Sequence, residues 1–298
     1  MTANEAAASN PAANTSQVAV LVVSCDKYCA LWEPFFTFLD RYWPDCPYPV
    51  FLLTNHKQWS HRGVTTLRVG PDVAWSNSLR LAVERMDVPY VLTIQDDFLL
   101  EARVSTPAIV RAVNELQERG GAYLRLVPTS VPWWRWMRTP GPVLCISRPH
   151  APYRISNQAS VWDSRALLRL LRPGESPWEM EVHGSERSSE DMGTYFSATS
   201  PLLRYHGHGA VIRGKWSRRA ARRCRKAGVW GPGRPVESIL ETWRQAAVDA
   251  AFNIAMALAP YLLWRLTLAR YGAGIRGAER SRVASAEGPA DPSAGPRA

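Results

Sequence analysis

Short apolar runs alternate with segments of helical period over the first two thirds of the chain. VAVLVVS (Val18 to Ser24), PVFLLTN (Pro49 to Asn55) and YVLTI (Tyr90 to Ile94) are near-continuous apolar runs rich in β-branched residues. That is the pattern of strands buried on both faces of a parallel sheet. Between them, Leu31 to Arg41 predicts a helix, and SNSLRLAVERM (Ser76 to Met86) predicts another. In the second, Leu79, Ala82, Val83 and Met86 share one face, and Ser76 is placed as the N-cap. Further on, Ile109 to Arg119 predicts a helix, AYLRLVP a strand, and SRALLRLL a short helix ended by Pro173 and Gly174. From Arg234 onward, ESILETWRQAAVDAAFNIAMALAPYLLWRLTLARY reads as one long apolar-rich helix. Asp249, Asn253 and Pro260 interrupt it too often for a membrane span.

Strands alternating with helices imply βαβ units, hence an α/β fold with a mostly parallel sheet. In such sheets ligands bind beyond the carboxyl ends of the strands. Ser24 to Lys27, Thr54 to His56 and Gln95 to Asp97 are therefore expected to gather along one edge. The 298 residues and a hydrophobic fraction of 46% suit a soluble globular protein with one large domain and appendages. Residues 1–16 carry neither a basic nor an apolar signal-peptide region and are expected to be a disordered leader. The Gly-, Ala-, Pro- and Ser-rich residues 272–298 are expected to be a disordered tail.

Charge changes the picture locally. Of the net +10, eight basic residues and no acidic one fall between Arg213 and Lys226, in RGKWSRRAARRCRK. A solvated helix face is the ordinary reading of such a run; a diphosphate, an anionic lipid surface or nucleic acid are the partners that would explain it otherwise. The five cysteines, odd in number and without a C-x-x-C pair, argue for reduced thiols in the cytoplasm rather than a disulfide framework or zinc site.

The third strand ends in a question of chemistry. YVLTIQDDFLL finishes on two adjacent carboxylates, Asp96 and Asp97, which repel each other and are costly to bury unpaired. Either they open the turn or helix that follows, or a cation lies between them and a ligand. A divalent ion bound with a diphosphate needs only one or two protein carboxylates. If the chain stays extended, Gln95 and Asp97 point one way and Asp96 the other. A second acidic block, SPWEMEVHGSE, holds Glu179 and Glu181, which share a face in an extended stretch, beside the flat ring of Trp178. These glutamates are candidates for a proton-accepting base or for pairing with the abundant arginines. In RYHGHGAVIRGKW, His206 and His208 are candidate metal or diphosphate contacts or plain loop residues, and Arg213 and Lys215 match a clamp for a departing diphosphate. VPWWRWMRTPGP offers Trp133, Trp134 and Trp136 as an acceptor or membrane-surface platform, or as packing under a loop.

Taken in order, VAVLVVSCDKY, WSNSLRLAVERM, YVLTIQDDFLL, SPWEMEVHGSE and VIRGKW resemble the GT-A glycosyltransferases, especially bacterial family-2-like enzymes of surface polysaccharide synthesis. The resemblance spans roughly Val18 to Trp216. It implies a GT-A (Rossmann-like) catalytic domain over 17–216, a nucleotide-diphosphate sugar donor, Mn²⁺ or Mg²⁺, and inversion at the anomeric carbon. It implies Asp97 as metal ligand and Asp96 on the donor's ribose or sugar; His208, from its own chemistry, is a further candidate metal ligand. Ser24, Cys25, Asp26, Asn55 and Asn77 would line the nucleotide-sugar site with Arg213 and Lys215. Trp178 and Trp134 would meet the acceptor, a glycan or lipid-linked glycan. Glu181 would be the base, with Glu179 orienting the acceptor. Gln95 stands where an acidic residue is common in the family. The basic segment and apolar helix of 217–271 are expected to form a helical appendage resting on an anionic membrane surface, placing the enzyme at the cytoplasmic face of the cell membrane. A Mg²⁺-dependent nucleotidyltransferase and a non-catalytic nucleic-acid-binding protein are the alternative readings; no DNA- or RNA-reading module surrounds the basic run.

Overall fold

A computed structural model describes residues 17–128, 137–138, 143–206, 208–231 and 233–271. Among them, nine strands form one sheet in the order β3-β2-β1-β4-β8-β5-β9-β7-β6. The strands are β1 Val18–Val23, β2 Val50–Thr54, β3 Val64–Arg68, β4 Tyr90–Gln95, β5 Gly121–Arg125, β6 Met137–Arg138, β7 Leu144–Ser147, β8 Ser160–Asp163 and β9 Thr194–Ala198. β1 to β4 pair in parallel, as does β5 with β9, whereas β8 enters antiparallel between β4 and β5. This is the α/β arrangement that the alternation of apolar runs implies, with four of the eight strand pairings antiparallel.

Each face of the sheet has its own core. Val18, Val20 and Val22 of β1 pack with α1 (Trp32–Tyr42) and α3 (Thr106–Glu118). Ala19, Leu21 and Val23 pack with α2 (Trp75–Met86), α4 (Ser164–Leu170) and α5 (Pro177–Glu190). Burial on both faces is why β1 has no polar residue.

Several expectations change at this level. α2 begins at Trp75 behind Ala74, which has no side chain to cap it; Ser76 instead accepts the backbone N–H of Glu175. The polar, half-buried β3 and the short strands β6 to β9 lack a clear apolar run and were not predicted. SPWEMEVHGSE is not extended: it starts α5, capped by Ser176. The long C-terminal helix is two, α7 (Ile239–Leu258) and α8 (Pro260–Tyr271), bent by 119° at the break before Pro260. No single described helix is long and apolar enough to cross a membrane. Residues 1–16, 272–298, Trp133, Trp134 and Trp136 lie outside the described residues. None of the five cysteines is in a disulfide.

The basic stretch is less available than its sequence implies. A two-strand hairpin, β10 (Val211–Ile212) and β11 (Lys215–Trp216), leads into α6 (Arg218–Ala227), which buries Ala220, Ala221 and Cys224 in the core. Arg219 grips the Glu101 carboxylate with two bonds of 2.7 and 2.6 Å. Arg223 donates to the Leu99 and Leu100 carbonyls and lies over the Phe38 ring at 4.4 Å.

Candidate active site

The carboxyl ends of β1, β2 and β4 lie side by side, and the antiparallel β8 starts at the same edge, Ser160 opposite Thr93. Four chain segments meet there.

The first is the exit from β1. Asp26 accepts the backbone N–H groups of Asn55, His56 and Lys57, while its own N–H donates to the Asn55 side chain at 3.0 Å. Asn55 donates in turn to the Gly70 carbonyl. Partial burial would push the Asp26 carboxyl up, but these amides hold it below its usual range. Sequence places both residues at the edge; the structure makes them a bracket tying β1 to β2. Asp26→Ala leaves the part-buried Asn55 amide unmatched and hands those of His56 and Lys57 to water, and is expected to cost about 1 kcal/mol in denaturant unfolding. The difference from wild type should shrink once pH falls below the ordinary carboxylate value of 3.8. An unchanged unfolding midpoint would dissolve the bracket. Cys25, half-buried, has its thiol pushed up by burial.

The second segment is the end of β4. Phe98 N–H donates to the Gln95 carbonyl, so Asp96 and Asp97 occupy a turn, and the extended geometry stops at Gln95. The Ser24 hydroxyl donates to Asp96 Oδ2 at 2.5 Å and is itself met by the Trp32 indole N–H at 2.7 Å. Burial, then the neighbouring Asp97 charge, push the Asp96 carboxyl well up; Ser24 and Arg234 oppose this. Burial pushes Asp97 up to about 7. Gly209, at φ +76°, lies against this carboxylate: a Cβ there would stand 2.1 Å from Asp97 Oδ2. Ala210 N–H donates to the Asp97 carbonyl, fixing the loop.

The third segment was not legible in the sequence. Arg234 donates to the Lys27 carbonyl at 2.7 Å, lies over the Tyr28 ring at 4.6 Å, and its charge favours ionisation of Asp96. It comes from a residue 207 positions away, in a Gly- and Pro-punctuated loop with no chemical signature. Lys27 itself pairs with Asp72 at 3.0 Å.

The fourth is α5. Glu179 completes its capping box: the carboxylate accepts the Ser176 N–H at 2.8 Å, while the Ser176 hydroxyl accepts the Glu179 N–H. Two apart on a helix, Glu179 and Glu181 face different ways, so the shared face of an extended stretch does not form. Glu181 reaches the loop before β8, where Oε1 accepts from the Ser156 hydroxyl at 2.7 Å and the Asn157 N–H at 2.6 Å. Both bonds fall on one oxygen, which holds the group while Oε2 remains the atom able to take a proton. The exposed Trp178 is three residues before it, on the same side. Gly184 is a mid-helix residue rather than a turn, and it lets α5 lie against Ile155, whose Cδ1 would be 2.6 Å from a Cβ.

Other expected contacts are engaged elsewhere. His208 pairs with Asp249 at 2.8 Å, and no group of three metal-ligating side chains occurs among the described residues. Burial lowers the neighbouring His206. Lys215 pairs with Glu241 at 2.5 Å, holding Glu241 down at about 2. Arg213, at φ +50°, sits exposed with Gly214 in the hairpin turn. Asn77 accepts the Gly174 N–H, joining the start of α2 to the loop before α5.

No protein-family profile matches the chain, and no curated protein sequence matches it. Among solved structures it is similar to S. aureus TarS, residues 1–349, at 11% identity and a TM-score of 0.41, covering 61% of this chain and 57% of that one. It is similar to a longer S. aureus TarS structure at 11% identity and a TM-score of 0.38, covering 61% and 36%. The chain thus spans well under two thirds of either neighbour. A likeness this faint leaves function to the site itself.

Proposed function

We propose that the protein is a glycosyltransferase that moves a sugar from a nucleotide-diphosphate donor to a glycan or lipid-linked glycan acceptor of the cell envelope, with inversion. One observation carries the reading: two adjacent carboxylates, both with proton affinity raised by burial, stand where the strands of an α/β sheet open onto a ligand edge. The order of motifs that resembles family-2-like enzymes supports it.

In this reading the nucleotide lies along Ser24, Cys25, Asp26 and Asn55, with the Tyr28 ring and Arg234 beside it. Asp97, with phosphate oxygens and water completing the shell, is the residue that would hold Mn²⁺ or Mg²⁺; when bound, the ion neutralises the diphosphate. The donor set suits such a shared shell, not an all-protein cage. The acceptor hydroxyl oxygen forms a bond to the anomeric carbon, and its proton passes to Glu181 Oε2. The bond from that carbon to the diphosphate oxygen breaks, and the oxygen leaves with the electron pair.

Incubating the full chain with a panel of nucleotide sugars, with and without Mn²⁺, tests this. A stabilising thermal shift with one donor and release of a nucleoside diphosphate are expected; saturation to 100 times the dissociation constant adds about 2.7 kcal/mol. Release of pyrophosphate from a nucleoside triphosphate would assign nucleotidyl transfer instead.

A further inference from the structure

The C-terminal helix pair turns an apolar face to solvent. On α7, Glu241, Gln245, Asp249 and Met256 repeat at helical spacing and face the body: Glu241 meets Lys215, Asp249 meets His208, and Met256 is buried. Opposite this stripe run Leu240, Trp243, Ile254 and Leu258, with Ala247 and Ala250 filling the intervening turns. Leu240 is 77% exposed, Trp243 71% and Leu258 78%. α8 continues the surface with Leu262 and Leu266, held in place from behind by Trp264, whose indole donates to Glu186 at 2.8 Å.

We infer that this face is an in-plane docking surface for an anionic lipid bilayer, an activity separate from sugar transfer. Three features select that occupant. Both acidic side chains of the helix pair are turned inward, Glu241 onto Lys215 and Asp249 onto His208, so the outer side carries only Arg244, Arg265 and Arg270 as charges. Residues 213–271 hold twelve Lys and Arg against three Asp and Glu, +9 of the chain's +10; Arg219 and Arg223 are held by Glu101 and Lys215 by Glu241, and the remaining cations still outnumber the carboxylates. A second copy would bring like charge against like charge, whereas an anionic surface is complementary. The 119° bend keeps the pair from forming one straight span, and two helices so bent can rest side by side on a surface.

The test is co-sedimentation of the full chain with phosphatidylcholine vesicles and with vesicles also containing phosphatidylglycerol. Pelleting is expected with the mixed vesicles at low salt, weakening as salt rises. The triple variant Trp243→Ser/Leu258→Ser/Leu266→Ser should lower the partition coefficient by about 100-fold or more with an unchanged melting temperature, since all three side chains already face water. Arg244→Gln/Arg265→Gln/Arg270→Gln should lower it about five-fold per residue, on mixed vesicles alone. Wild-type protein remaining in the supernatant at low salt would overturn the inference. So would a dimer in light scattering that the apolar triple variant dissolves without any vesicle binding, which would assign the face to a second copy.

Discussion

Asp97→Asn is expected to lower transfer by at least about 10²–10³-fold and, in the same protein, to raise stability at neutral pH. The two effects have one cause. Burial beside Asp96, with no cation against it among the described residues, makes the Asp97 carboxyl bind a proton up to about pH 7 rather than 3.8. Below pH 4 folded and unfolded chains both hold that proton, and wild type and variant should differ little. Between pH 4 and 7 the unfolded chain releases it while the folded chain does not, so wild-type stability falls as pH rises. Above 7 the deficit is constant, up to about 4 kcal/mol at 1.36 kcal/mol per pKa unit. Because Asp96 titrates with it, the measured curve belongs to the pair. Melting curves of both proteins from pH 4 to 8 check this, and parallel curves would remove the electrostatic argument. Wild-type turnover undiminished in excess EDTA would show that Asp97 acts without a metal.

Glu181→Gln is expected to cut turnover by about 10²–10⁴-fold while the donor-dependent thermal shift persists. The amide keeps the acceptor contacts to Ser156 and Asn157 on its carbonyl oxygen but cannot take a proton. Glu179→Ala should behave differently, losing about 1 kcal/mol of stability with the capping box and retaining turnover. If Glu179→Gln stops the reaction and Glu181→Gln does not, their roles exchange. If both retain it, this helix serves the fold alone.

What was legible in the sequence depended on locality. β1, β2 and β4 are apolar on both faces, and so their positions and the gathering of their carboxyl ends at one edge followed from the pattern of apolar runs. β3 and β8 lack a continuous apolar run: VTTLR and SVWD mix polar and apolar residues and carry no periodic signal of their own. Glu179 and Glu181 were placed in an extended stretch although Ser176, Pro177 and Glu179 spell a helix start. Arg234 could not be placed at all: only the folded chain brings it over Tyr28. The run of positive charge misled for the same reason, since the carboxylate and carbonyls that engage Arg219 and Arg223 lie more than a hundred residues earlier.

The bond from Trp264 to Glu186 ties α8 to the same helix that carries Glu181. The two glutamates are five residues apart, about 7.5 Å along a helix that does not stretch. With Glu181 as the proton acceptor we propose, α5 would act as a gauge, setting by its pitch how far that group stands from the outer helices. With the outer helices seated on a bilayer, substrates would be sorted by the height at which they present a hydroxyl. An acceptor chain too short to reach that level, or rooted so that its end overshoots it, would go unglycosylated however well its sugar fitted the pocket.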